Sequence, residues 1–80
     1  MKAITYLPAA AKALSKFPSG VREAIIAKLN RYAATGAGRT KALKGRAGIR
    51  LRVGTYRVIL EETKDTIMVV AAGDRRDIYR

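Results

Sequence analysis

The alternation of apolar and polar side chains divides the chain into two parts. From Ile49 to Leu60 the period is two. Ile49, Leu51 and Val53 alternate with Arg50 and Arg52, and Tyr56, Val58 and Leu60 alternate with Arg57 and Ile59. This is the pattern of half-buried strands. The run from Thr66 to Ala72 is nearly all apolar and reads as a third strand, with turns at Gly54-Thr55 and Lys64-Asp65. Earlier in the chain the period is helical. Val21, Ile25, Leu29 and Tyr32 are spaced four, four and three apart and form one stripe. Ser19 is the expected N-cap of that helix, and Gly36 is placed to end it. Arg22, Lys28 and Arg31 fall off the stripe and are expected in solvent.

Pro8 to Phe17 reads as a shorter, alanine-rich helix with Pro8 at its first position, and Leu14 and Phe17 share one face. Ile4, Tyr6 and Leu7 mark a short strand before it. Pro18-Ser19-Gly20 separates the helices and predicts an antiparallel pair. Residues 36–48 hold glycines and basic residues and read as a basic loop. The expected fold is α+β: a short N-terminal strand, two antiparallel helices, then a three-stranded antiparallel meander in one small sheet. Eighty residues make one domain, 1–80.

Register sharpens the reading of the strands. A two-residue turn at Gly54-Thr55 sets Val53 against Tyr56, Arg52 against Arg57 and Leu51 against Val58. Leu51, Val53, Tyr56, Val58 and Leu60 then face the helices, and Arg50, Arg52 and Arg57 share the other side. A slip of one residue would bury the arginines, so the core enforces this register. Directly opposed like charges destabilise a sheet, so such a cluster points to an anion that sits on it. The plainer alternative is three arginines on a solvated face.

Charge changes the picture further. Seventeen Lys and Arg against six Asp and Glu leave +11, more than the charge of about 2–8 that suits a small soluble domain. A polyanion, foremost a nucleic acid, is the expected partner. Nine of the basic residues and only one acid, Glu23, lie in residues 1–44. There is no cysteine and no histidine, which excludes thiolate sites, a catalytic thiol and an imidazole base. The six acids show no ligand spacing, so neither a metal nor a cofactor is expected. No apolar run approaches the roughly 20 residues of a membrane span, and Met1-Lys2-Ala3-Ile4 lacks the apolar stretch of a secretory signal. A cytoplasmic protein with no membrane partner is the expectation.

The chain closes with Gly73-Asp74-Arg75-Arg76-Asp77-Ile78-Tyr79-Arg80. Arginine for phosphate beside tyrosine for a base is a recurring RNA-binding pair. A basic tail with Ile78 and Tyr79 packed on the sheet edge is the alternative.

Two segments together resemble the RelE/ParE toxin superfamily, and the resemblance spans nearly the whole chain. One is Leu43-Lys44-Gly45 followed by Ile49-Arg50-Leu51-Arg52-Val53-Gly54-Thr55-Tyr56-Arg57-Val58-Ile59. The other is the ending just quoted, in which a glycine and a basic pair precede a tyrosine. The resemblance implies the toxin of a type II toxin–antitoxin pair. For a RelE-type member it implies a ribosome-dependent, metal-independent endoribonuclease that cuts mRNA in the ribosomal A site and inhibits translation. ParE-type members instead poison DNA gyrase, and a degenerate member would only bind its antitoxin.

By position, the implied catalytic residues are Arg50, Arg57, Arg75 and Tyr79, with Lys41, Lys44, Arg46, Arg52, Arg76 and Arg80 as RNA-binding cations. Two positions depart from the pattern. Gly48 stands where the Escherichia-type sequence carries lysine, and Asp74 where many relatives carry histidine. Lys44, Arg46 or Arg52 could then stand in for the missing group. The implied partners are a cognate acidic antitoxin, mRNA in the A site, and operator DNA only through the antitoxin complex. A groove beside the helices near Leu14, Ile25 and Leu29, or the arginine-bearing sheet face, is the expected antitoxin surface.

Overall fold

The computed structural model describes residues 2–38, 40–42 and 48–74. Among them β1 (Ala3–Tyr6), α1 (Pro8–Ser15) and α2 (Ser19–Thr35) are followed by four strands. These are β2 (Thr40–Ala42), β3 (Ile49–Val53), β4 (Tyr56–Glu62) and β5 (Thr66–Asp74). The five strands form one sheet in the order β1-β5-β4-β3-β2. β1 runs parallel to β5, and the remaining pairs are antiparallel. The meander β3-β4-β5 is the one the alternation predicts.

The helices cover one face of the sheet, α1 lying against β5 and α2 against β1 and β3. Between sheet and helices lies the core. Ile25, Leu29, Leu51, Val58, Leu60, Ile67 and Val69 are fully buried there, with Ala10, Leu14, Tyr32, Ala33 and Val53 around them. The predicted stripe of α2 and the predicted inner face of β3 and β4 are therefore the two halves of one core. Leu14, Ile25 and Leu29 are consumed by it. They form no open groove, because sheet side chains already cover them.

Local details differ from the sequence reading in four places. Thr40–Ala42 is a strand at the sheet edge rather than loop, pairing Thr40 with Leu51, Lys41 with Arg50 and Ala42 with Ile49. Three residues are too few for alternation to show. α1 stops at Ser15, and Lys16 and Phe17 close its end with backbone bonds to Ala13 and Leu14. Phe17 thereby swings onto the Tyr56 ring, with centroids 4.8 Å apart. Ser19 is the first residue of α2, not its cap. Pro18 occupies that position, and no side chain caps the helix. Arg22 is half-buried rather than solvated, and its Nη1 donates to the Phe17 carbonyl at 3.3 Å. Gly36 ends α2 in the left-handed conformation, as expected.

One polar network ties the residue before β1 to α2 and to the end of β4. The Tyr32 hydroxyl donates to Glu62 Oε1 at 2.7 Å, and Lys2 Nζ donates to Glu62 Oε2 at 2.6 Å and to the Thr63 carbonyl at 2.7 Å. Burial, and then Glu62, push the Tyr32 phenol up to about 12. The hydrogen bonds from Lys2 and Tyr32 hold the Glu62 carboxyl below its usual range against a smaller opposing effect of burial.

Candidate nucleic-acid interface

The register of the β3-β4 hairpin builds the site. Val53 pairs with Tyr56, Arg52 with Arg57, Leu51 with Val58 and Arg50 with Ile59. Gly54 turns the chain with φ of +60°, which few side chains other than glycine tolerate. Since Leu51, Val53, Val58 and Leu60 point into the core, Arg50, Arg52 and Arg57 project from the opposite face, away from the helices.

The three arginines have different environments. Arg52 is exposed and Arg50 half-buried. Arg57 is buried, with only 8% of its surface exposed. Its Nε and Nη1 atoms have no hydrogen-bond partner among the described residues. A buried guanidinium with two unmet N–H donors is costly, each unmet donor being worth about 1–3 kcal/mol. Its cross-strand neighbour is another cation, Arg52. The arrangement leaves a position suited to an anion with oxygens that accept two hydrogen bonds. The alternation predicts which face Arg57 takes. It does not predict that Arg57 is buried there.

β5 contributes a feature with no sequence signal. The ladder with β4 shifts between Ile59 and Leu60, so that Leu60 pairs with Val69 but Ile59 with Ala71, and Val70 is the extra residue. This bulge sets Gly73 opposite Arg57 and returns Ala72 to the core side. Unbroken pairing would have put Ala72 opposite Arg57. Arg57 thus has a backbone with no side chain on one flank and Arg52 on the other.

The backbone of Lys41 pairs with that of Arg50 in β2-β3. Gly48, at the position of the expected lysine, has φ of +123°, a conformation that a lysine would adopt only with strain. Asp74 is the last residue of β5 and pairs with Tyr56. Arg75, Arg76, Tyr79 and Arg80, together with Lys44 and Arg46, lie outside the described residues. Of the expected catalytic set, the structure brings together Arg50 and Arg57. Among the described residues no three acidic side chains come close enough to hold a metal ion. No helix there is long and apolar enough to cross a membrane.

No protein-family model matches the sequence, and no curated protein matches it either. Solved structures do. The RelB-RelE antitoxin–toxin complex of Methanococcus jannaschii contains a chain that is 25% identical, with a TM-score of 0.78, over 94% of each chain. The isolated Escherichia coli RelE toxin is 21% identical with a TM-score of 0.80, over 99% of this chain and 92% of that one. The YoeB dimer of Staphylococcus aureus is 20% identical with a TM-score of 0.75, over 88% and 92%. TM-scores of 0.75–0.80 over most of both chains show that the chain has the fold of the RelE-type toxins.

Proposed function

We propose that this chain is the toxin of a type II toxin–antitoxin pair and that it cuts mRNA in the ribosomal A site. The observation that supports this most directly is the buried, under-bonded Arg57 guanidinium opposite Arg52. A +11 chain already favours a polyanion, and this site offers one phosphate a fixed place. The likeness to RelE toxins supports the same reading, and the related structures include complexes with RelB or YefM antitoxins.

RNA carries its own nucleophile, so the protein's task is to align and to neutralise. The 2′-hydroxyl oxygen bonds to the adjacent phosphorus while the bond from phosphorus to the 5′-oxygen breaks. The hydroxyl proton leaves, and a proton reaches the departing 5′-oxygen. The products are a 2′,3′-cyclic phosphate and a free 5′-hydroxyl. Arg57 and Arg50 hold the phosphate and stabilise the charge that builds on it. Their fixed position supplies the alignment. Arginine holds its proton too tightly to act as the acid or base. In this reading Arg75 contacts the phosphate or the leaving oxygen, and Tyr79 stacks on a base or moves a proton. Lys41, Lys44, Arg46, Arg52, Arg76 and Arg80 hold the strand. The ribosome supplies further alignment. A cognate acidic antitoxin restrains the activity.

Primer extension on a defined mRNA in a reconstituted translation reaction tests this. New 5′ ends inside the A-site codon, absent without ribosomes, are the expected result. An intact message at high protein concentration would remove the nuclease reading and turn attention to DNA gyrase.

A further inference from the structure

Cleavage through the 2′-hydroxyl needs a group that takes its proton. Arginine holds its own too tightly, and the chain has no histidine. The sheet offers a carboxylate on the face that carries the arginines. Leu60 of β4 is fully buried in the core, and Glu62 accepts from the Tyr32 hydroxyl of α2, so both point to the helix side. Glu61, between them, takes the opposite face, in one row with Arg57 and Ile59. Arg50 pairs with Ile59, which makes Glu61 its diagonal neighbour across the hairpin, about 7–8 Å away.

Two further observations leave this carboxylate available. Glu61 is exposed, and among the described residues it makes no hydrogen bond or ion pair. It also borders an open cleft of about 570 Å³ that Gly48 and Ile49 line from the other strand. Gly48 brings no side chain to the cleft, and the β5 partner of Glu61 is the apolar Met68. The other charged groups of the cleft are Lys2, Glu62 and Lys64, and Lys2 is already paired with Glu62. The remaining acids of the described chain lie elsewhere. Glu23 is on α2, Asp65 is in the β4-β5 turn, and Asp74 pairs with Tyr56 at the far end of β4.

We propose that Glu61 is the general base of the cleavage, taking the proton of the 2′-hydroxyl that attacks the phosphate held by Arg50 and Arg57. The proposal rests on the nuclease reading above and gives it a named proton acceptor. One carboxylate oxygen of Glu61 accepts the proton as the 2′-oxygen bonds to phosphorus. The bond from phosphorus to the 5′-oxygen breaks, and water or Tyr79 protonates that oxygen. The Glu61 carboxyl then returns its proton to the group that gave one up. The carboxylate lies one pleat beyond Ile59, so it flanks the phosphate site instead of occupying it.

The test is single-turnover cleavage of mRNA on programmed ribosomes at saturating toxin. The parent, Glu61→Gln and Glu61→Asp are compared, with folding checked by circular dichroism and thermal unfolding. Glu61→Gln keeps the size of the side chain and removes its basic oxygen. It is expected to cut at least about 100-fold more slowly at unchanged Tm. Glu61→Asp keeps a carboxylate and is expected to cut faster than Glu61→Gln. A second substrate separates a base from an acid. Sulfur in place of the scissile 5′-oxygen leaves without a proton, so the defect of Glu61→Gln is expected to persist on it. Loss of the defect on that substrate would place Glu61 at the leaving oxygen and overturn the proposal. A slower rate matched by a lower Tm and a smaller folded fraction would make Glu61 a structural residue and overturn it as well. Equal rates for the parent and Glu61→Gln would overturn it and leave the nuclease reading intact. A parent that cuts no message would remove both.

Discussion

Arg52 and Arg57 face each other directly across the β3-β4 hairpin, two cations in the position where sheets favour opposite charges. Arg57 is the buried member of the pair. The hydrophobic register holds them there, because moving either one would expose Leu51 and Val58. The fold therefore maintains an electrostatic conflict that a bound anion would relieve.

That conflict predicts a trade of stability against function. Replacing Arg57 with methionine removes two unmet donors and one of two opposed charges and keeps an unbranched apolar stem. Arg57→Met is expected to gain about 1 kcal/mol, or about 4–8 °C in Tm for a domain of this size. Thermal unfolding at low ionic strength reads it. A lower Tm would mean that the guanidinium is a structural element.

Glu62 makes stability depend on pH. Its folded carboxyl titrates below its unfolded value, so its contribution is complete above the usual carboxylate range. The contribution is lost as pH falls through the lowered folded value. Glu62→Gln is expected to unfold at a lower temperature than the parent at pH 7, with the gap closing as the solution is taken toward pH 3. A gap that stays constant across that range would disprove the linkage.

Ile25 distinguishes a core from a surface groove. It is fully buried between α2 and the sheet. Ile25→Ala is expected to cost about 2–5 kcal/mol in urea unfolding. A cost under about 1 kcal/mol would restore it as a surface residue.

Gly48 is the fourth case. With φ of +123°, the backbone there resists the lysine that the family resemblance leads one to expect. Gly48→Lys should destabilise the chain by about 1–2 kcal/mol without raising the cleavage rate. A gain in cleavage would mean that the segment can re-form around a lysine.

Much of this was legible in the sequence, and the exceptions have physical causes. Strict alternation in Ile49–Val53 and Tyr56–Leu60 determines register and face, so the arginine pairing could be read directly. Residues 67–72 are all apolar, so no alternation marks where β5 slips past β4, and the bulge that brings Gly73 beside Arg57 leaves no trace. β2 is too short to show a period, and pairing with β3 creates it. The apolar stripe of α2 predicts the buried face of that helix, but a stripe alone cannot separate a core from a docking groove. The sheet settles that by covering Ile25 and Leu29. The burial of Arg57 was hidden for a related reason, since an arginine at an alternating position reads as solvent-facing.

In the proposed mechanism Arg57 places the scissile phosphate. The measurement is single-turnover cleavage of A-site mRNA on programmed ribosomes, with the parent and Arg57→Met compared side by side. The expected rate is at least about 100-fold lower in the variant, the usual cost of removing one such charge-stabilising donor, with the fold intact. Cleavage at the parental rate would contradict it.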